Sequence, residues 1–186
     1  KGTAAGFAVT VWNPGGNNTM IRFGVESCRA GDILIIYTPA DGAAQWGDNA
    51  HLWAKGKKIE AVIVDGAVRD VAIVREVGIS LWARCIDPRQ ALKESPGFVN
   101  APILLGGVEV LPGDLIVADD DAILVLRPDE VKEALRLAKI RAETEDVIRA
   151  EGRTGATPKT LQKIFHGDRI QHVGRQWTEA DGRGKV

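Results

Sequence analysis

Ala61-Val62-Ile63-Val64-Asp65-Gly66-Ala67-Val68-Arg69-Asp70 is the stretch on which the fold turns. The small and apolar residues from Ala61 to Val64 have the pattern of a buried strand, which closes at Asp65. Gly66 reads as a tight turn, and a short helix is expected from Val68 to Glu76, ending before Gly78. The turn delivers a cation beside an anion, Arg69 and Asp70. A guanidinium fork binds a planar carboxylate through two hydrogen bonds, and a carboxylate can hold a hard divalent cation. Side by side, the two suit a 2-oxo acid and the metal that polarises it; the alternative is a surface ion pair of little energetic worth.

Upstream, Gly6 to Trp12 is β-rich and Pro14 to Asn18 is a turn cluster. Thr19 to Cys28 reads either way: Ile21, Phe23 and Val25 alternate as in a strand, while Ile21, Gly24 and Val25 fit a helix less well. The unbroken apolar run from Asp32 to Tyr37 suits a strand buried on both faces, usually a parallel one. Asp41-Gly42 opens a loop, and a helix is expected from about Gly47 to Lys55-Gly56. Downstream, Ile79 to Ala83 is a further strand, Asp87-Pro88 breaks the pattern and Pro96 to Asn100 is loop. Four short β segments follow, at Ile103 to Leu105, Val108 to Val110, Asp114 to Val117 and Ala122 to Leu126. They read as a compact antiparallel or mixed unit. A long helix then runs from about Asp129 to Glu151, with Gly152 at its end.

Strands alternating with helices, then a β block and a long helix, imply a layered α/β domain over residues 1–152. Residues 153–186 are rich in Gly, Thr, Arg and Lys and read as an extension. It either wraps over the body or a neighbouring subunit or forms a partly disordered tail. The first residue is Lys and strand pattern begins almost at once, which gives the chain the look of a trimmed product.

The 186 residues suffice for one domain with a sizeable core. A net charge of -1 gives no bulk electrostatic pull toward nucleic acid or a membrane surface. No apolar run approaches the ~18 residues of a membrane span. Cys28 and Cys85 stand alone and far apart, which suits reduced packing residues in a cytoplasmic protein. His51, His166 and His172 share no metal-ligand spacing, so a zinc site is not expected.

Asp48 stands 22 positions before Asp70. A helix from Asp48 to about Gly56 runs ~13 Å away, and the strand from Ala61 to Asp65 returns ~16 Å. The two paths nearly cancel, so Asp48, Arg69 and Asp70 are expected at one edge of the sheet, beyond the carboxyl ends of the strands, where open α/β sheets bind ligands. Gly47-Asp48-Asn49 sits where the helix presents unpaired N–H groups, a place for a substrate carboxylate; otherwise Asp48 caps or charges the first turn. On the last helix, Leu135, Ala138 and Ala142 fall within about 40° of Val131 around the axis, and Glu145 shares that range. A carboxylate on an apolar stripe calls for a cation, a metal-bound water or another subunit; otherwise the stripe ends at Ala142 and Glu145 is solvated.

With these motifs together, the sequence resembles a known family. Gly47-Asp48, twenty residues, then Arg69-Asp70 looks like the signature of the class II pyruvate aldolases that cleave 4-hydroxy-4-methyl-2-oxoglutarate and 4-carboxy-4-hydroxy-2-oxoadipate. That family shares its fold with the regulator of ribonuclease activity A. The resemblance covers roughly residues 2–151. It includes Gly6 to Val11, Ala30-Gly31-Asp32, Val64 to Val71, Gly106 to Asp114 and Ala118 to Asp121.

The resemblance implies a swivelling-domain-like layered α/β sandwich with a mixed central sheet and a long C-terminal helix. It implies a homotrimer or stacked hexamer with sites in the clefts between subunits, a small-molecule 2-oxo acid substrate, and no nucleic acid or membrane partner. Mg²⁺ or Mn²⁺ would be held by Asp70 and waters. Arg69 would hold the 2-oxo acid and stabilise the developing enolate. The backbone N–H groups near Gly47, Asp48 and Asn49 would bind the carboxylate, and Asp48 would hold a metal-bound water that relays protons. Glu145 matches the family's acid contributed by a neighbouring subunit. The same chemistry would permit oxaloacetate decarboxylation.

The chain also departs from the pattern. Aldolases of this family usually carry leucines after the acid, where this chain has Asn49-Ala50-His51-Leu52-Trp53. His51 and Trp53 reshape the pocket, serve an interface or simply pack. The usual N-terminal helical segment is missing and the tail is longer. Two other readings stay open: a contact regulator of the ribonuclease-regulator type, and another lyase or hydratase acting on a sugar-derived 2-oxo acid. An Asp after the Arg, which the bacterial regulator lacks, favours the aldolase.

Overall fold

The structure, a computed structural model, describes residues 2–39 and 42–155. They fall into two compact units, one ending at Val131 and the other beginning at Lys132. The expected extension at 153–186 lies outside the described residues beyond Gly155.

The first unit is built on β1 (Ala4–Trp12), β2 (Ile33–Tyr37), β3 (Ala44–Trp46), β4 (Ala61–Val68) and β5 (Ser80–Ile86). Helices α1 (Ile21–Ser27), α2 (Asp48–Gly56) and α3 (Val71–Val77) connect them. Short strands β6 (Phe98–Val99), β7 (Ile103–Leu105), β8 (Val108–Val110), β9 (Leu115–Ala118) and β10 (Ile123–Leu126) follow. The main sheet runs β10-β9-β1-β2-β4-β3, with β5 on β4 and β6 on β1. Pairing is parallel between β1, β2, β4, β3 and β5 and antiparallel at β6, β9 and β10. The sheet is therefore mixed, as expected, within a layered α/β fold.

The apolar runs of β2 and β4 explain the layering. Alternate side chains of a strand point to opposite faces. Leu34, Ile36, Val62 and Val64 join one core with Ile21, Val25 and Ala54 of the helices. Ile33, Ile35, Ala61 and Ile63 join a second core with Ile103 and Val110 of the β7–β8 hairpin. Both faces are covered, which is why Ile33 to Ile36 and Ala61 to Val64 are apolar without a break.

One open reading is decided and two local expectations are corrected. Thr19 to Cys28, which reads either way in sequence, contains a helix, and its buried face is Ile21, Gly24 and Val25, spaced i, i+3, i+4. Gly24 is part of that contact: a Cβ there would stand 2.3 Å from Val11 Cγ2, so glycine lets α1 approach β1. Gly66 is not a turn. β4 continues through it to Val68, with the register against β5 shifting between Val64 and Ala67. β3 and β6 occupy stretches read as loop, each too short to show a period.

Cys28 is buried among core residues, and burial, reinforced by Asp32, pushes its thiol up to about 12. Cys85 is exposed on β5, and neither is in a disulfide. In the second unit, helix α4 (Val131–Gly152) has no buried residue. Among the described residues no helix is long and apolar enough to cross a membrane.

Candidate active site

Two chain segments meet at one edge of the sheet: Trp46-Gly47, joining β3 to α2, and Arg69-Asp70, between β4 and α3. The Arg69 backbone N–H donates to the Trp46 carbonyl at 2.9 Å, tying the two together. Gly47 has φ −155°, an extended backbone that any residue adopts. Its requirement is space. A Cβ would lie 2.7 Å from Asp70 Oδ2 and 3.2 and 3.3 Å from Arg69 Cγ and Nε. The path lengths placed Asp48 with Arg69 and Asp70; Asp48 lines one cavity with Arg69, and it is its neighbour Gly47 that abuts both Arg69 and Asp70.

Asp70 has φ 55° and ψ 35°, the left-handed region, where Asp is among the few non-glycine residues tolerated. It turns the chain sharply from β4 into α3 and brings its carboxylate back toward Arg69. Arg69 Nε lies 3.2 Å from Asp70 Oδ2, with both side chains about a third exposed. Such a pair contributes little by itself and leaves both groups free to exchange partners. Asp65 is otherwise engaged: Arg84 Nε donates to it at 2.9 Å and the Gly106 N–H at 3.3 Å.

Asp48 opens α2, and its Oδ1 accepts from the Asn49 backbone N–H at 2.6 Å and from Asn49 Nδ2 at 3.1 Å. A cavity of about 360 Å³ is lined by Gly47, Asp48, Asn49 and Arg69, together with Arg22 of α1 and Lys93 of the loop after β5. Sequence reasoning missed Arg22 and Lys93, which only the topology brings here. Asn18 and Thr19 line the same cavity, and Asn18 Oδ1 and Thr19 Oγ1 are buried without a hydrogen-bond partner. Three cations around a small cavity suit an anionic ligand. A larger groove of about 950 Å³ runs between α3 and β5, but no acidic residue lines it.

Trp53 lines the smaller cavity, whereas His51 does not. His51 is fully buried, and the Trp46 indole Nε1 donates to its Nδ1 at 3.0 Å. Its Nε2 is buried and makes no hydrogen bond of ordinary geometry. Burial lowers the His51 pKa below its usual 6.5, the Ile79 backbone opposing and the Lys55 charge adding to the shift. The unfolded chain therefore takes up a proton first. The stability tied to neutral His51 is complete above pH 6.5 and declines as pH falls toward the lowered value. Thermal melts between pH 7 and 5 are expected to show this decline in the wild type and a shallower one in His51→Asn.

Glu145 lies on α4, where Arg141 Nε and Arg149 Nη2 hold it at 2.7 and 2.9 Å, one turn to either side. Its cationic partners are on its own helix.

The donor chemistry fits a hard divalent ion. Asp70 offers carboxylate oxygen beside the space that Gly47 leaves open, and Asp48 opens the helix that follows Gly47. Among the described residues no three His, Cys, Asp or Glu side chains converge.

The sequence matches the model of the RraA-like family, described as Aldolase/RraA, over residues 1–125. It is 39% identical over 117 residues to the 4-hydroxy-4-methyl-2-oxoglutarate aldolase of Thermus thermophilus, covering 59% of this chain and 68% of that one. A Halalkalibacterium halodurans protein provisionally given the same name is 31% identical over 165 residues, covering 87% and 78%. The solved structure of the RNA-processing inhibitor RraA of Thermus thermophilus superposes with TM-score 0.64 at 35% identity, covering 68% and 77%. Streptomyces coelicolor RraAS2, an unusual member of the RNase ES inhibitor RraA family, superposes with TM-score 0.71 at 30% identity, covering 80% and 77%.

Proposed function

The chain belongs to the RraA-like family, Aldolase/RraA, and from that premise we propose that it is a divalent-metal-dependent lyase cleaving 4-hydroxy-2-oxo acids by a retro-aldol reaction that releases pyruvate. The observation that carries this reading is the placement of Arg69 and Asp70 against Gly47, beside a cavity that Arg22 and Lys93 make cationic.

Arg69 binds the 2-oxo acid through its guanidinium fork, and the N–H groups at the start of α2 receive the carboxylate. Asp70 would hold Mg²⁺ or Mn²⁺, which when bound supplies Lewis-acid polarisation of the 2-oxo group. Carbon–carbon cleavage leaves negative charge on the oxygen of the pyruvate fragment, and Arg69 stabilises it. Asp48 keeps its Oδ2 available, since Asn49 engages Oδ1, and takes the proton of the 4-hydroxyl through a water. Glu145 of a neighbouring subunit serves as the further acid, in a homotrimer or hexamer. Oxaloacetate decarboxylation needs the same charge stabilisation and is a second activity of the site.

The experiment is pyruvate release from 4-hydroxy-4-methyl-2-oxoglutarate and from oxaloacetate, with Mg²⁺ and after EDTA. Release that EDTA removes and Mg²⁺ restores is expected. No turnover of either by folded, oligomeric protein would move the weight to a second reading, a contact regulator. The names of the inhibitor relatives favour that alternative.

A further inference from the structure

His51 is the one histidine among the described residues, it is fully buried, and the chemistry above makes no use of it. Its partner Trp46 is buried as well, at 1% exposure, and the two rings meet edge to face with centroids 6.2 Å apart. Trp46 joins two parts of the site. Its carbonyl holds the Arg69 N–H, and its next residue is Gly47, whose own carbonyl accepts from the His51 N–H at 3.1 Å. His51 thus grips both residues preceding α2, Trp46 through its ring and Gly47 through its backbone.

We propose that His51 is a positioning residue: by accepting the Trp46 indole proton at Nδ1 it fixes the Trp46-Gly47 backbone, which in turn sets the Gly47 to Asn49 amides and the Arg69 main chain. The catalytic part of this inference rests on the function proposed above; the positioning part does not. The bond requires a particular tautomer. Nδ1 accepts only if it is unprotonated, so the neutral ring carries its proton on Nε2. A protonated ring would present a donor to the indole donor and break the contact. Trp46 reaches no other acceptor across the described residues, and an indole N–H is a donor only. Without His51 it would be a buried donor without a partner, at a cost the loop can relieve only by moving. The residue does not line the cavity, so it acts through Trp46 and not on substrate.

The test compares wild type, His51→Leu, which removes the acceptor, and His51→Asn, whose Oδ1 can stand where Nδ1 does. Nitrogen-15 spectra report the Trp46 indole and the backbone amides of Gly47, Asp48, Asn49 and Arg69. In His51→Leu the indole signal and those four amides are expected to shift; in His51→Asn they are expected to stay near their wild-type positions. The kcat/KM for pyruvate release is expected to drop about 10- to 100-fold in His51→Leu, the scale of a roughly 1 Å misplacement, and to recover in His51→Asn. Should His51→Leu not fold, Trp46→Phe removes the donor instead, and the same amides and kcat/KM are expected to change.

Loop amides that stay in place while the indole signal moves would overturn the proposal. So would an unchanged kcat/KM with only a lower Tm, the mark of a merely structural bond. A wild type without turnover but with the loop amides responding as described would defeat the lyase reading and leave the positioning role standing.

Discussion

Asp70→Ala is expected to lower pyruvate release by about a thousandfold or more, the effect of losing several kcal/mol of charge stabilisation at the reacting carbonyl. The substitution also carries a conformational component that must be separated from the chemical one. Asp70 sits at φ 55°, ψ 35°, and a residue without a short polar side chain costs on the order of 1 kcal/mol more in that region. Asp70→Asn tolerates the left-handed backbone but lacks the charge that holds a divalent ion. Both variants are expected to lose activity, while only Asp70→Ala loses about 1 kcal/mol of stability. Steady-state rates at saturating Mg²⁺, paired with denaturant unfolding, separate the two. An active Asp70→Asn would detach the carboxylate from the chemistry.

Gly47→Ala is expected to have the next largest effect, about a hundredfold loss of kcat/KM with little change in Tm. The added methyl would lie 2.7 Å from Asp70 Oδ2 and 3.2 Å from Arg69 Cγ. Those atoms belong to partly exposed side chains, so the fold accommodates the methyl by moving them. They are also the two groups on which the chemistry depends. Gly56→Ala, at the other end of the same helix, is the control. Nothing stands within 4 Å of a Cβ there, and removing a glycine from a helix stabilises it by roughly 0.5–1 kcal/mol. Activity is expected to be unchanged. Equal losses from both glycine substitutions would indicate damage to α2, not displacement of Arg69 and Asp70.

These contrasts follow from how the chain encodes its site. β2, β4, α2, the four short strands from Ile103 to Leu126 and the last helix were legible to within a few residues, because two-sided burial writes an unbroken apolar run and turn residues punctuate the rest. α1 was ambiguous because one of its three buried positions is Gly24, which contributes contact through the absence of a side chain. β3 and β6 have three and two residues, too few to display any period. Path lengths brought the start of α2 near Arg69 and Asp70, since a helix out and a strand back must nearly cancel, but they named Asp48 where Gly47 makes the close approach. Arg22 and Lys93 were not legible, because a cation on a helix surface or in a loop looks locally like any solvated charge. The contribution of Trp46 was equally hidden: it holds Arg69 through a backbone carbonyl, which every residue type has.

The contrast between the two cysteines makes the native fold a one-label protein. With its thiol pushed up to about 12 and buried, Cys28 offers almost no thiolate to an alkylating reagent at neutral pH, since only the thiolate reacts. Cys85 is exposed on β5. A maleimide dye therefore attaches once to each intact molecule, at the outer strand of the sheet, and a second dye marks a molecule that has opened its core.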